Sequence, residues 1–510
     1  MKPPFTRRAF LEVAGAAAAR RRFAALSAPF RLGGSTPGIS SSAWGSLANH
    51  AAPAWFDDAK FGIYCHWGIY SVPAFDSEWY SRNMYLEGSR ANRFHHLVYG
   101  PPSKFGYKDF IPMFRAERFN PDEWAELFRK AGAKFAGPVT EHADGFSMWD
   151  SQVNPWNAAR MGPRRDVVGE MSKAIRDRGM KFIATLHHQW LWGWYPTMDQ
   201  SLDTSDPKYA GLYGPPAPGS PFDYGKPWST LAPPTEDFQD RWAAKIKEVV
   251  DKYEPSLIYF DSRLNIIDER HLAEVISHYY NLAERRHEEV SVTYKEKELP
   301  LGVGMLDVER GRLGTLAPYK WMTDDAIDWN SWCHVQNASY KSADRIVDEL
   351  VDIVSKNGSL LLDITPTAEG VIPAPVEERL LAIGRWLSIN GEAIYGTRPW
   401  KVFGEGPTQI KPGMFGEEKT PDFTAEDIRF TSRGKALYAI ALGWPQNRGQ
   451  MVIKSLNTND GQLADGQIAD VALLGGDRAL AWQHNGEGLR VLLPRDKPGD
   501  FAYAFKISLK

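Results

Sequence analysis

Between residues 55 and 400 the chain alternates helix-like apolar periodicity with short apolar runs that are typical of buried strands. The clearest helix start is Asn120-Pro121-Asp122-Glu123, which combines an N-cap, a proline in the first turn and acidic residues near the N-terminus. The predicted pairs of helix and following strand are 120–131 with 134–140, 167–178 with 181–186, 236–253 with 257–261, 270–285 with 290–294, and 342–356 with 360–364. Repeated units of this kind over such a length predict an α/β fold with a (β/α)₈-like barrel. A doubly wound sheet is the alternative, and the absence of a phosphate-binding glycine fingerprint after any of these strands disfavours it.

The regions before and after the barrel differ from it in texture. From residue 401 short alternating runs separated by Gly, Pro, Asn and Asp predict a C-terminal antiparallel β-sandwich. Near the N-terminus, Arg7-Arg8 precede an apolar stretch over 13–19, which resembles a twin-arginine export signal. The domains are therefore predicted as export signal and linker over 1–53, catalytic barrel over 54–400 and β-sandwich over 401–510.

Composition excludes some partners and favours others. The net charge of −3 gives no electrostatic footprint for nucleic acid or an anionic membrane surface. Beyond the leader, no apolar stretch is long enough to predict a membrane span. Nineteen Trp and twenty Tyr suit a site for a neutral sugar, although core packing accounts for many of them. Two cysteines make neither a disulfide framework nor a metal set, and the sequence sets no oligomeric state.

Polar side chains follow several predicted strands at the edge where a parallel barrel carries its chemistry. They are His66 and Trp67, then Glu141, His142 and Asp144, then His187 and His188, and finally Asp261. A metal site would suit histidine and aspartate, but no recognised ligand spacing is present. A purely structural role is open for one or two of these residues. Glycoside hydrolysis needs two carboxyl groups, of which Asp261 would be one and Glu296, Glu298 or Glu309 the other.

Several motifs of the chain resemble the family 29 glycoside hydrolases, the α-L-fucosidases. The matching stretches are residues 55–73 with Glu78-Trp79-Tyr80, 131–135, 144–146, 162–169, Asp261, 353–362 and 390–400. The resemblance implies a retaining mechanism with Asp261 as nucleophile. It also implies that His66, Glu78 and His142 contact the fucose with Trp79 beside them.

The position of the acid/base varies more within this family. The sequence Asp307-Val308-Glu309-Arg310-Gly311, followed by Trp321-Met322-Thr323-Asp324, resembles one bacterial branch. That resemblance favours Glu309 as acid/base, with Glu296 and Glu298 as alternates, and adds Trp321 to the expected substrate contacts. No metal or organic cofactor is expected.

The chain departs from the family pattern at four positions. Ala143 stands where a second histidine is usual, so one sugar contact is missing. Lys295 replaces an arginine, Asp363 replaces an asparagine, and His187 follows a strand that lacks a tyrosine found in some relatives. His187 is accordingly either a substrate contact or a residue behind the site.

The sequence therefore predicts an exported, periplasmic or extracellular, exo-acting α-L-fucosidase that acts on fucosylated glycans. Two alternatives stay open. One is a fucose- or glycan-binding protein with an impaired site, and the other is a hydrolase of a related sugar such as L-galactose.

Overall fold

The computed structural model describes residues 44–48, 50, 52–219, 230–445, 449–459 and 463–510. The predicted export leader lies outside these residues, as do residues 220–229 of the segment 202–234, which is rich in Pro, Gly and Tyr. Within the described part of that segment, the short helix Ala210–Tyr213 carries the buried side chains of Leu212 and Tyr213. This segment is therefore partly packed against the barrel.

Eight parallel strands close into a barrel, in the order of the chain. They are β1 (Phe61–Cys65), β2 (Phe135–Glu141), β3 (Lys181–Leu186), β4 (Leu257–Phe260), β5 (Ser291–Lys295), β6 (Met305–Asp307), β7 (Trp321–Ala326) and β8 (Gly358–Ile364). The pairing of Cys65 with Ile364 joins the first strand to the last. The expected (β/α)₈-like barrel is confirmed, and the doubly wound alternative is wrong because the sheet has no open edge.

The helices around the strands start and end where local chemistry predicts. They are α1 (Ala54–Ala59), α2 (Tyr80–Asn83), α3 (Arg90–Val98), α4 (Pro121–Lys130), α5 (Val167–Asp177), α6 (Ala210–Tyr213), α7 (Glu236–Tyr253), α8 (Glu269–Arg285), α9 (Ala343–Ser355) and α10 (Ala374–Asn390). The Asn120 side chain accepts hydrogen bonds from the amides of Asp122 and Glu123, which caps α4. Helix α7 ends at Glu254, whose φ of 47° reverses the chain into β4.

The C-terminal region forms two antiparallel sheets with their own hydrophobic core. The larger sheet has the order β13-β16-β11-β10-β9 and the smaller one the order β12-β15-β14. The strands are β9 (Arg398–Glu405), β10 (Ile428–Arg433), β11 (Ala436–Ala441), β12 (Gln450–Ile453), β13 (Ile468–Leu473), β14 (Trp482–Asn485), β15 (Gly488–Leu492) and β16 (Tyr503–Leu509). The predicted antiparallel β-sheet domain is confirmed.

Charged and polar contacts fix these sheets to the barrel. Arg429 of β10 donates to the Asp352 carboxylate of α9 at 2.7 Å, with both side chains buried. The Trp386 indole of α10 donates to the Ala502 carbonyl at 2.7 Å. In the part of the chain that the structure describes, no helix combines the length and the apolarity that crossing a bilayer requires.

Candidate active site

The ends of the first three barrel strands bring three buried histidines together. His66, His142 and His187 follow β1, β2 and β3, and their ring centroids lie 5.0 to 5.5 Å apart. Because the carboxyl ends of all eight strands open on one mouth, residues far apart in sequence meet there. The sequence predicted this meeting correctly from strand ends alone.

Asp261 follows β4 and is held by its sequence neighbour and by the adjacent strand end. Its Oδ1 accepts the Ser262 amide at 2.8 Å, and its Oδ2 lies 3.3 Å from the Nδ1 of His187. Gln189 donates to the Asp261 carbonyl at 2.7 Å. Asp261 is 6% exposed, so its carboxylate is largely shielded from bulk water.

His66 is oriented by Asp363, which ends the adjacent strand β8. Asp363 Oδ1 lies 2.9 Å from both the backbone amide and the Nδ1 of His66. Burial raises the pKa of Asp363 well above its ordinary value. A neutral Asp363 offers the same carbonyl-type acceptor as the asparagine expected there, so this departure preserves the contact.

Glu78 and Trp79 lie in the segment that follows β1, on the same side of the barrel as its mouth. Glu78 is fully buried, and its Oε2 accepts the Trp332 amide at 3.2 Å. Trp79 packs against Trp190 and Trp194 with ring centroids 5.5 and 4.7 Å apart. The tryptophans form an apolar wall of the kind that the ring face of a sugar contacts.

Ala143 is buried between His142 and Asp144, and its methyl group supplies no polar atom there. The neighbouring polar ring is His187, whose centroid lies 5.0 Å from that of His142. The Nε2 of His187 has no hydrogen-bond partner among the residues described. His187 therefore combines a contact to Asp261 with a donor or acceptor that is left for a ligand.

The three candidate glutamates have different surroundings. Glu309 is 4% exposed, and its Oε2 lies 3.4 Å from the Lys295 ammonium. Glu298 is half-buried and accepts the amides of Arg263 and Leu264. Burial raises the pKa of Glu298 to about 8. Glu296 is exposed and has a φ of 51°. Glu309 is thus the candidate that joins a buried charge network.

Lys295 is the centre of that network, which the sequence did not reveal. Its ammonium lies 2.7 Å from both Asp307 and Asp324, in addition to Glu309. Although burial alone would lower it, these acids raise the pKa of Lys295 well above its usual range, and Asp261 adds to the effect. The hydroxyls of Tyr64 and Tyr259 donate to Asp324 at 3.0 Å each.

The two aspartates beside Lys295 respond in opposite ways. Burial and the negative charge of Asp324 raise the pKa of Asp307 well above normal. Burial would raise that of Asp324 too, but Lys295 lowers its pKa. Burial and mutual repulsion thus favour protonation at Asp307 more than at Asp324. Recognition of β6 and β7 as strands would have placed both aspartates at the mouth.

The structure does not bring Trp321 to this group. Trp321 begins β7, at the end of the strand opposite to the mouth, and its indole donates to the Lys356 carbonyl at 2.9 Å. The side chain is fully buried. The position of Trp321 therefore does not support the substrate contact that the resemblance implied.

The three histidines also meet the distance requirement for a metal site. One ring nitrogen from each of His66, His142 and His187 lies within 4.8 Å of the others. Three histidines can hold Zn²⁺, and the same nitrogens can instead bind sugar hydroxyls. The carboxylates near these histidines can also bind sugar hydroxyls.

A closed parallel barrel that gathers two buried carboxyl groups, histidines and a tryptophan wall at one mouth has the architecture of a glycoside hydrolase. The α-L-fucosidase family model matches residues 35–392, and that of the α-L-fucosidase C-terminal domain matches residues 421–508. The chain belongs to the α-L-fucosidase family of glycoside hydrolases, which confirms the resemblance found in its motifs.

Relatives of known name agree with this assignment. The chain is 33% identical to the tissue α-L-fucosidase of Homo sapiens over 479 residues, or 91% of each protein. It is 32% identical to that of Bos taurus over 91% of this chain and 90% of the relative. The crystal structure of Thermotoga maritima α-fucosidase in complex with fucose is similar, with a TM-score of 0.70, 30% identity and coverage of 90% and 98%.

Proposed function

We propose that this protein is a retaining, exo-acting α-L-fucosidase in which Asp261 is the nucleophile and Glu309 the acid/base. The observation that carries the proposal is that Asp261 and Glu309 are both buried just beyond barrel strands and both act on the charge of Lys295. Its ammonium lies 3.4 Å from Glu309, and its pKa also responds to Asp261. Both acids are buried at the end of barrel strands, where retaining hydrolysis requires a close pair.

In the first step Asp261 attacks the anomeric carbon of a terminal fucosyl residue as the glycosidic C–O bond breaks. Glu309 donates its proton to the departing oxygen, which leaves a covalent fucosyl-enzyme and an ionised Glu309. In the second step Glu309 takes a proton from water, and the resulting hydroxide equivalent displaces Asp261. The substrate is therefore a fucosylated oligosaccharide or glycoconjugate.

His66, Glu78 and His142 hold the sugar hydroxyls in this proposal, and Trp79 packs against the apolar side of the ring. His187 orients Asp261 through its Nδ1 and presents Nε2 to the sugar. Trp321 has no part in binding, because it lies at the other end of its strand.

Hydrolysis of a chromogenic aryl α-L-fucoside tests the proposal. The unmodified protein should turn it over, and Asp261→Gly should abolish turnover. Asp251→Gly is a matched control, because Asp251 is an exposed aspartate on the outer helix α7. Fucose binding without turnover in the unmodified protein would assign it instead as a glycan-binding protein.

Because Ala143 stands where a histidine is usual, a second candidate function is hydrolysis of a related sugar such as L-galactose. A missing hydrogen-bonding partner relaxes discrimination between sugars that differ in one group. Parallel kcat/KM measurements on the aryl α-L-fucoside and the aryl α-L-galactoside decide between them. A higher value for the galactoside would reassign the substrate.

The proposal requires no metal or organic cofactor. Extended dialysis against a chelator should leave kcat on the aryl fucoside unchanged. Activity that is lost in the chelator and restored by Zn²⁺ would instead assign His66, His142 and His187 to a metal.

Export by the twin-arginine route is also proposed, on the strength of Arg7-Arg8 and the apolar stretch behind them. A plasma α-L-fucosidase of Rattus norvegicus is among the relatives, at 31% identity and 89% coverage of each chain. Replacement of both arginines by lysine should retain activity in the cytoplasmic fraction of a bacterial host. Unchanged periplasmic activity would refute the route.

A further inference from the structure

Residues 411–420 belong to the connection between β9 and β10 of the C-terminal sheets and lie directly against the loop that carries Glu309. Neither of the two matching family models includes this segment, since they cover residues 35–392 and 421–508. We call residues 413–417 the bracing segment. Nothing in the family assignment gives these residues a role.

Three backbone hydrogen bonds join the bracing segment to the Glu309 loop. The amide of Phe415 donates to the carbonyl of Glu309 itself at 2.8 Å. The amides of Gly413 and Glu417 donate to the carbonyls of Arg312 and Arg310 at 2.9 and 3.3 Å. The loop is thus bonded at Glu309 and at two residues that follow it by chain that comes from outside the barrel.

The contact is so close that it admits only glycine on the loop side. A Cβ atom on Gly311 would lie 1.9 Å from the Gly413 carbonyl oxygen. Gly314, in the same loop, has only the Pro412 ring near its corresponding position, at 3.3 Å. The two glycines therefore form a natural pair for testing the contact.

Arg310 of the Glu309 loop and Phe415 of the bracing segment have unusual backbone conformations, and side-chain contacts fix Arg310. Arg310 donates to the carbonyls of Trp329 and Asp328 at 2.9 Å each and lies 3.4 Å from the Glu417 carboxylate. Arg310 and Phe415 have φ values of 43° and 55°, which are unusual for residues with large side chains. Such backbone strain persists where surrounding structure enforces it and is concentrated at functional sites.

The bracing segment is in turn fixed to the barrel. Arg345 of α9 donates to the carbonyls of Glu417 and Thr420 at 2.8 and 3.2 Å. Strand β7 supports the loop from the other side, because the carbonyls of Met322 and Asp324 accept the amides of Val308 and Arg310 at 2.9 Å each. Glu309 is therefore held between the barrel strand and the bracing segment.

We propose that the bracing segment is a positioning element for the acid/base: it fixes the backbone of Glu309 so that the carboxyl group reaches the departing oxygen. This inference rests on the proposed function, in which Glu309 protonates that oxygen. A displacement of about 1 Å in a catalytic group is enough to reduce the rate substantially. The segment thereby makes the C-terminal region necessary for hydrolysis of unactivated substrates.

The test is Gly311→Ala, with Gly314→Ala as the matched control. The readout is kcat/KM on two substrates, an aryl α-L-fucoside with an acidic phenol as leaving group and a fucosylated disaccharide. The acidic phenol leaves without help, whereas the sugar alcohol needs a proton from Glu309. Gly311→Ala should lose 10- to 100-fold on the disaccharide and less than 3-fold on the aryl substrate. Gly314→Ala should change neither more than 2-fold.

Loss of stability alone would not produce a difference between the two substrates. An equal loss on both, or no loss on either, therefore overturns the inference. If Gly311→Ala does not fold, Glu417→Gln decides, because it keeps the side-chain shape but removes the charge beside Arg310. It should show a 3- to 10-fold loss confined to the disaccharide, against Glu426→Gln at an exposed site of the same region.

Glu309→Gln serves as the reference for a lost acid/base. If it shows no dependence on the leaving group, the assignment of Glu309 in the proposed function fails. If Glu309→Gln shows that dependence and Gly311→Ala does not, only the role of the bracing segment fails.

Discussion

The end of β4 and the loop after β6 each supply one of the two proposed catalytic carboxyl groups, but they hold them in different ways. Asp261 is one residue beyond its strand and is held by Ser262 and by His187 at the adjacent strand end. Glu309 is held by Lys295 and by Phe415, which is more than 100 residues away in sequence. The nucleophile is thus held within the barrel, whereas the acid/base is held by the barrel and also by chain from the C-terminal region.

The electrostatic surroundings of Asp261 and Glu309 also differ. The Asp261 carboxylate contacts the Ser262 amide and the His187 imidazole, which orient it. Glu309 belongs to a group of three acids that share the charge of Lys295. A nucleophile must stay ionised, while an acid/base must gain and lose a proton in each cycle. The different surroundings of Asp261 and Glu309 match these two requirements.

The largest expected effect comes from removing each carboxyl group and supplying azide. Asp261→Gly should lose at least about 10⁴-fold in kcat, and Glu309→Gln about 10²- to 10⁴-fold on substrates with poor leaving groups. Azide should then form β-fucosyl azide with Asp261→Gly and α-fucosyl azide with Glu309→Gln, because only the latter passes through the covalent intermediate. NMR spectroscopy of the products distinguishes the anomers. The same anomer from both variants would contradict the division of roles.

A smaller but still large effect is expected at Lys295. Lys295→Met leaves three buried acids without their cation, so the free energy of unfolding should fall by about 3–5 kcal/mol. Urea denaturation measures it. Lys297→Met, two residues on and exposed, should stay within about 0.5 kcal/mol of the unmodified protein. A similarly small change for Lys295→Met would show that the network is not needed to hold Glu309.

The same contrast explains how far the sequence could be interpreted. The strand that ends at Asp261 is a compact apolar run after a long capped helix, so both the strand and its terminal carboxylate were predictable. Strand β6 has three residues and no flanking helix pattern, so nothing local marked Asp307 or Glu309 as a strand end. Sequence reasoning therefore left three glutamates open at the acid/base position.

Long-range contacts were beyond the reach of local patterns for a physical reason. The bond from Phe415 to Glu309 depends on how the C-terminal sheets are attached to the barrel, and no periodicity encodes that. Trp321 illustrates the same limit, because the resemblance implied a substrate contact whereas the indole lies at the start of β7, away from the mouth. The twin-arginine leader and the domain limits stay predictions.

Replacement of His187, which lies beside the nucleophile Asp261, should have an intermediate effect. His187→Phe keeps a flat ring but removes the Nδ1 that lies 3.3 Å from Asp261 Oδ2, so kcat/KM should fall about 10- to 100-fold, as expected for the loss of a close polar contact to a charged group. His278→Phe is a matched control, because His278 also contacts an aspartate, Asp251, but at the protein surface. An unchanged kcat/KM in His187→Phe would place the support of Asp261 elsewhere.

The smallest expected effect concerns Glu298, an alternative acid/base candidate that lies against the loop after Asp261. Its pKa is raised to about 8 by burial, compared with 4.5 ordinarily, so the folded state binds a proton that the unfolded state has lost between these pH values. Its contribution to stability is therefore complete below pH 4.5 and is lost as the pH rises towards 8. Glu298→Gln should abolish that slope and gain about 1–2 kcal/mol at pH 8 after allowance for partial exposure.

Urea denaturation at several pH values from 5 to 8 measures this slope, with Glu296→Gln as the exposed control. Activity of Glu298→Gln on the disaccharide should stay within about 3-fold, because its carboxyl group accepts the amides of Arg263 and Leu264 instead of reaching the substrate. A loss that depends on the leaving group would transfer the acid/base role from Glu309 to Glu298. The acid/base would then belong to the same loop framework as Asp261, and the contrast between the two regions would disappear.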